Sequence, residues 1–197
     1  MKMTADQHHS LMERLARDDE AALEALVSSL GPQLLRFAAR TLATAAADAE
    51  DVVQEAFVRL WQARRRWQPT ASVRSYLFTI TTRLCLNRRR SLRRRPRHEP
   101  LPGPDEPLHP GDPSADPERL AFARQLRAAV AGELAVLPQN QRAALLLRHE
   151  GGLSYQEIAF ALDTTPSAVE SLLSRARARL RANLSEWMTE GTPSSRG

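Results

Sequence analysis

The residues best equipped for chemistry in this chain are its arginines. Lys2 is the only lysine, so nearly all positive charge is guanidinium, and the formal net charge is +5. A guanidinium is a planar fork that fits phosphates and base edges. The arginines cluster twice. Arg83, Arg88, Arg89, Arg90, Arg93, Arg94 and Arg95 lie in "RLCLNRRRSLRRR", and Arg175, Arg177, Arg179 and Arg181 lie in "SRARARLR". Three rings, Trp67, Tyr76 and Phe78, precede or enter the first cluster. Rings that stack on unpaired bases, beside cations that hold the backbone, make a surface for separated strands. The same rings can instead be core, which is the expected role for Tyr76, Phe78 and Trp61.

Bond-making chemistry finds no comparable support. There is no G-x-x-x-x-G-K-[ST] phosphate loop, no Ser/His/Asp arrangement and no cluster of metal-binding carboxylates. Asp48, Glu50 and Asp51 sit at a helix start, where the dipole explains them. Cys85 is alone, so there is no internal disulfide; on a largely apolar helix it reads as packing. His8, His9, His98, His109 and His149 show no paired zinc spacing. The expectation is a protein that is not an enzyme and needs no cofactor or metal. It has no apolar run of membrane length and no secretory leader, hence a cytoplasmic location and no membrane insertion.

The elements that must position these groups read as helices, with no β-hairpin signal and no repeat. The expected fold is all-α: two small helical domains joined by a proline-rich linker, the second a helix-turn-helix domain. Residues 1–95 form the first domain, 96–117 the linker, 118–188 the second domain and 189–197 a disordered tail. In the first, "DDEAALEALVSSLGP" places Leu23, Leu26, Val27 and Leu30 on one face, and Gly31–Pro32 is expected to end that helix. Leu34, Leu35, Ala38 and Leu42 form the next. "DAEDVVQEAFVRLWQ" starts with Asp48 as N-cap and repeats Val52, Val53, Ala56, Phe57 and Leu60 at helical spacing. Ser72 caps a longer helix whose buried stripe is expected at Val73, Leu77, Ile80 and Leu84. The linker "PRHEPLPGPDEPLHPGDPSADP" is extended and tether-like. Asp116 and Pro117 then fit N-cap and N1, with Leu120, Ala123, Leu126, Val130 and Leu134 lining the helix that follows.

The C-terminal pair is the most explicit. Ser154 and Glu157 form an S-x-x-E capping box. Ile158, Ala159 and Leu162 face inward, Asp163 and Thr164 turn, Thr165 caps the second helix and Pro166 takes N1. Val169, Leu172, Leu173, Ala176 and Leu180 make the inner stripe. Ser167, Ser171 and Ser174 lie opposite, with arginines on the flanks. Small polar groups at a helix start can enter a major groove while arginines hold phosphates. A solvated amphipathic hairpin is the alternative; the capping box, short turn and proline start together favour helix-turn-helix.

With these residues in view, the stretch "LPQNQRAALLLRHEGGLSYQEIAFALDTTPSAVESLLSRARARLRANL", from Leu137 to Leu184, resembles the C-terminal DNA-binding domain of bacterial sigma factors. It looks most like the extracytoplasmic-function type of the sigma-70 family. "DAEDVVQEAFVRLWQ" looks like the sigma segment that docks on the polymerase clamp helices, and "RSYLFTITTRLCLNRRRSLRRR" resembles the segment that recognises and opens the −10 element. The resemblance implies a sigma factor that directs core RNA polymerase to promoter DNA and is controlled by an anti-sigma factor. It implies docking through Asp51, Gln54, Glu55 and Arg59. It implies −10 contacts from Trp67, Arg74, Tyr76, Arg83, Asn87, Arg88, Arg89 and Arg90. It implies −35 contacts from Ser154, Thr165, Ser167, Glu170, Ser171, Ser174, Arg175 and Arg177. Family members commonly carry Asn where Arg83 stands and Asp where Asn87 stands, so the −10 base preference does not carry over. A linker of about 22 residues spans at most roughly 70–80 Å, enough for elements one to two helical turns apart, about 35–70 Å. The competing reading is a dimeric helix-turn-helix regulator on a palindromic operator.

Overall fold

The computed structural model describes residues 3–43, 46–68, 71–92 and 117–185. All regular structure among them is helical. The first lobe contains α1 (Ala5–Ala16), α2 (Glu20–Leu42), α3 (Ala46–Ala63) and α4 (Val73–Leu92), with a 3₁₀ turn at Arg64–Arg66. The second contains α5 (Pro117–Val136), α6 (Gln139–Leu146), a π-helical turn at Leu147–Gly151, α7 (Tyr155–Leu162) and α8 (Pro166–Asn183). Most of the linker, the tail and the cap at Asp116 lie outside the described residues.

Local chemistry sets the helix starts. Thr4 accepts from the backbone of Gln7, and the Gln7 side chain answers on Thr4, a capping box that opens α1. Asp19 caps α2 through Ala21 N–H, and Ser72 caps α4 through Ser75 N–H. Asp48 is not an N-cap: α3 begins at Ala46, so its carboxylate lies within the first turn, where the dipole still favours it.

Pro32 does not end a helix either. It lies inside α2, which runs on to Leu42. Leu26 and Leu30 before it and Leu34, Phe37, Ala38 and Leu42 after it are all buried, so one stripe crosses the proline. Burial of a large aliphatic or aromatic side chain contributes about 1.5–3 kcal/mol. Several such residues outweigh the ~3 kcal/mol cost of an interior proline. Val27 is not part of that stripe; it is exposed.

In the first lobe the core joins Leu11, Met12 and Leu15 of α1, Leu26, Leu30, Leu34 and Phe37 of α2, Ala56, Phe57 and Leu60 of α3, and Val73, Leu77 and Phe78 of α4, and the same buried cluster continues into Leu146, Leu147, Leu153 and Ile158 of the second lobe. Phe37 and Phe78 pack edge to face, centroids 5.0 Å apart. The predicted stripe of α4 is rotated: Ile80 and Leu84 are only partly buried, whereas Ser75, Phe78, Thr79, Thr81, Thr82 and Cys85 are fully covered. Burial pushes the Cys85 thiol up to about 12, which makes it inert at neutral pH. In the second lobe, α5 buries only Leu134 of its predicted line. Arg142 of α6 is wholly enclosed and donates to Ala135 O at 3.3 Å, tying α6 to the end of α5.

Candidate nucleic-acid interface

The helix-turn-helix is built as its sequence predicts. Ser154 Oγ accepts from Glu157 N–H, while the Glu157 carboxylate accepts from Ser154 N–H at 2.8 Å. Ile158, Ala159, Ala161 and Leu162 are buried. Asp163 ends α7 in the left-handed region, φ 52°. Thr165 Oγ1 accepts from Ala168 N–H at 3.2 Å, and Pro166 opens α8. Val169, Leu173 and Ala176 are buried, and Leu172 and Leu180 partly so.

This packing fixes which way α8 faces. Ser167, Glu170, Ser171, Ser174, Arg175 and Arg177 are all exposed. At 100° per residue they fall on one side of the helix, opposite the buried stripe. Glu170, Ser171, Ser174 and Arg175 line a shallow depression there. Arg175 Nε reaches back to Ser171 O at 3.1 Å, which leaves its terminal nitrogens at the rim. Ser154 Oγ caps α7 and Thr165 Oγ1 caps α8, so both hydroxyls already accept from a backbone N–H.

On α3, Asp51, Gln54, Glu55 and Arg59 are exposed along one stripe, and Arg59 Nε binds Glu55 Oε1 at 2.8 Å. Val58 and Gln62 continue the same stripe, and Val58 is an exposed apolar side chain between polar neighbours. Sequence reading did not single it out because one valine in a helix carries no signal until its face is known.

The arginine and ring set of α4 does not form one surface. Tyr76, Arg83, Asn87 and Arg90 share a stripe; Arg74, Arg88 and Arg89 point elsewhere. Arg88 binds Asp48 at 2.7 Å and lies 3.6 Å from Asp51, joining α4 to the start of α3. Trp67 is partly buried against His9, ring centroids 5.3 Å apart. Trp61 is partly buried beneath the Arg64 guanidinium, and Phe78 is core. Arg74 donates to the backbone carbonyl of Gly151 at 2.9 Å, to that of Glu150 and to Gln33 Oε1. Burial holds its pKa below the usual arginine value. Arg83 donates to Phe160 O at 2.8 Å and covers the Phe160 ring.

The comparisons with known proteins fall on these two lobes. The model for sigma-70 region 2 matches residues 26–95, and that for sigma-70 region 4 matches residues 127–180. The RNA polymerase sigma-H factor of Pseudomonas aeruginosa is 30% identical over 89% of this chain and 92% of its own length. CnrH, solved in complex with the cytosolic domain of CnrY, is 31% identical, with a TM-score of 0.62 over 93% of this chain and 99% of that one. A sigma factor RpoE from Bartonella quintana, solved with the anti-sigma factor NepR, shares the fold at 23% identity and a TM-score of 0.62. No described helix is long and apolar enough to cross a membrane. The two region models and the sigma-H likeness show that this chain belongs to the sigma-70 family, and the ECF RNA polymerase sigma factor ShbA of Streptomyces griseus subsp. griseus, 32% identical over 88% of this chain and 93% of its own length, places it in the extracytoplasmic-function group.

Proposed function

We propose that this chain is a promoter-specificity subunit whose two domains divide the work between a −10 and a −35 element. The observation that carries the reading is the exposed face of α8, held by a capped turn in a lobe similar to sigma-70 region 4. That helix is dimensioned for a major groove, with small hydroxyls and one carboxylate toward base edges and arginines toward phosphates. Within the first domain, residues 1–95, the α3 stripe of Asp51, Gln54, Glu55 and Arg59 docks on core RNA polymerase, with Val58 as an apolar contact at its centre. The α4 stripe of Tyr76, Asn87 and Arg90, joined by Arg83 once it leaves Phe160, receives separated −10 bases. Arg74, Arg88, Arg89 and Trp67 complete the −10 set only after leaving their present partners. Residues 96–117 tether the second domain, 118–188.

The polymerase supplies phosphoryl transfer, so this chain acts without catalysis or cofactor of its own. Preference for single-stranded bases over duplex drives opening. Its place of action is the cytoplasm, where core enzyme and promoter DNA meet. CnrH is bound by the cytosolic domain of CnrY, which supports a protein partner, an anti-sigma factor, for this chain as well. The test is co-elution with core polymerase of the wild-type chain and of a Gln54→Ala/Glu55→Ala double variant. Retained folding with loss of co-elution is expected. Undiminished co-elution of the double variant overturns the docking assignment.

A further inference from the structure

A cleft of about 510 Å³ opens in the first lobe where α1 and the middle of α2 meet the start of α4. No residue of the α3 docking stripe or of α8 lines it. Small-ligand sites are concavities of about 300–1,000 Å³ in which a few polar groups converge on an apolar lining. Here Met3 and Pro32 belong to the apolar lining, and His8, Ser28, Arg36 and Arg74 to the polar one.

The charge of this cleft is one-sided. Two guanidiniums and an imidazole line it, and no carboxylate stands among its described lining residues. Arg74 is half-buried, and its partners are all uncharged: Gly151 O at 2.9 Å, Glu150 O and Gln33 Oε1. Taking a cation from water without an anion beside it is costly, and burial lowers the Arg74 pKa with no carboxylate to offset it. Of the five N–H donors of a guanidinium, three are engaged by those acceptors, which leaves two. His8 is buried with Nε2 2.9 Å from Ser29 Oγ. Burial first, and then the charge of Arg74, hold its pKa below the usual imidazole value.

These groups define what would complete them. Arginine forks and hydroxyl donors match the terminal oxygens of a phosphate. Ser72 Oγ accepts from Ser75 N–H and keeps its own hydrogen to donate. No Phe, Tyr or Trp lines the cleft, so no large ring is placed to stack on a base. We propose that this cleft binds a small phosphate monoester of the sugar-phosphate type, its phosphate held by Arg36 and Arg74 and its hydroxyls met by Ser28 and Ser72. Promoter strands carry phosphate too, but the cleft is turned from them. At about 100° per residue, Arg74 lies roughly 200° around α4 from Tyr76, which heads the −10 stripe. The site is independent of the promoter function proposed above.

The test follows the His8 ring of the full chain by proton–carbon NMR, its resonance identified by loss in His8→Gln. Ribose 5-phosphate is added at constant ionic strength, with inorganic phosphate, ribose and a short single strand of dT as separate arms. A saturable shift half-complete below about 1 mM ribose 5-phosphate is expected, with inorganic phosphate at least about tenfold weaker and ribose without effect. The ring should move toward its protonated position, because a bound anion offsets both burial and the Arg74 charge. Ser28 and Arg36 are exposed on α2, so their replacement spares the core. Arg36→Gln should weaken binding at least about tenfold, and Ser28→Asp, which sets a carboxylate in the cleft, should abolish it, both with unchanged melting. No saturable movement of His8 up to about 10 mM overturns the inference, as does equal affinity in Arg36→Gln. An equal response to inorganic phosphate shows general anion binding and overturns the sugar-phosphate class. A dT strand that saturates the His8 shift more tightly than ribose 5-phosphate assigns the cleft to nucleic acid and overturns it as well.

Discussion

Replacing Glu157 by Gln probes the joint between the reading lobe and the rest of the molecule with little change of shape. The carboxylate accepts from Ser154 N–H and Ser154 Oγ, each at 2.8 Å, and from Ser75 Oγ across the lobes. Burial alone would raise its pKa. The hydrogen bonds from Ser75 and Ser154 outweigh that, and the net direction is down. Hydrogen bonds to a charged group contribute about 1.5–3 kcal/mol against about 0.5–1.5 for neutral ones. Glutamine keeps one acceptor oxygen and fits a capping box, so the net loss is about 1–2 kcal/mol at pH 7. For a domain of this size that lowers the midpoint of thermal unfolding by roughly 4–15 °C. The sign with pH follows from the lowered pKa. The carboxylate's contribution is complete above the unfolded value of about 4.3 and disappears as pH falls through the lower folded value. Urea unfolding of both proteins across pH 7 to 3.5 should show a gap that narrows with acid. A gap below about 0.3 kcal/mol at pH 7, or one equally wide at both ends, would refute the reasoning.

Three further outcomes are expected. Thr165→Ala removes the α8 cap and costs about 1 kcal/mol, with loss of −35 duplex affinity, while Thr165→Ser restores both in melting and binding assays. Glu170→Ala alters base preference at one position of the −35 element by about 1–3 kcal/mol, the scale of a carboxylate accepting from a cytosine amino group; selection from a randomised duplex reads it, and an unchanged selected sequence contradicts it. Phe78→Ala costs about 3–5 kcal/mol in urea unfolding, because a wholly buried ring is lost from the Phe37 pair; a cost near 1 kcal/mol would show that α4 is not held as described.

What the sequence made legible was local. Caps involve neighbours three residues apart, so Ser154–Glu157, Ser72 and Thr165–Pro166 could be read without knowing the fold. The exposed face of α8 followed once its apolar stripe was placed. Pro32 was misleading because a proline reads as a local break, and only the burial of Leu30, Leu34 and Phe37 on one core shows why the helix continues. The stripe of α4 was misplaced for another reason. Ser75 and Thr79 are polar, and nothing local marks them as buried; the partner of buried Ser75 is Glu157, 82 residues away. The commitments of Arg74, Arg83 and Arg88 are also to residues far away in sequence, so the −10 set looked like one surface and is not.

The measurement closest to the central claim is run-off transcription with purified core polymerase, this chain and a template carrying two unlike elements. The expected result is a transcript from one start site that needs the chain and both elements, with weak duplex binding by the chain alone. A chain that yields no transcript with core enzyme, yet binds a palindromic duplex tightly as a dimer, contradicts it.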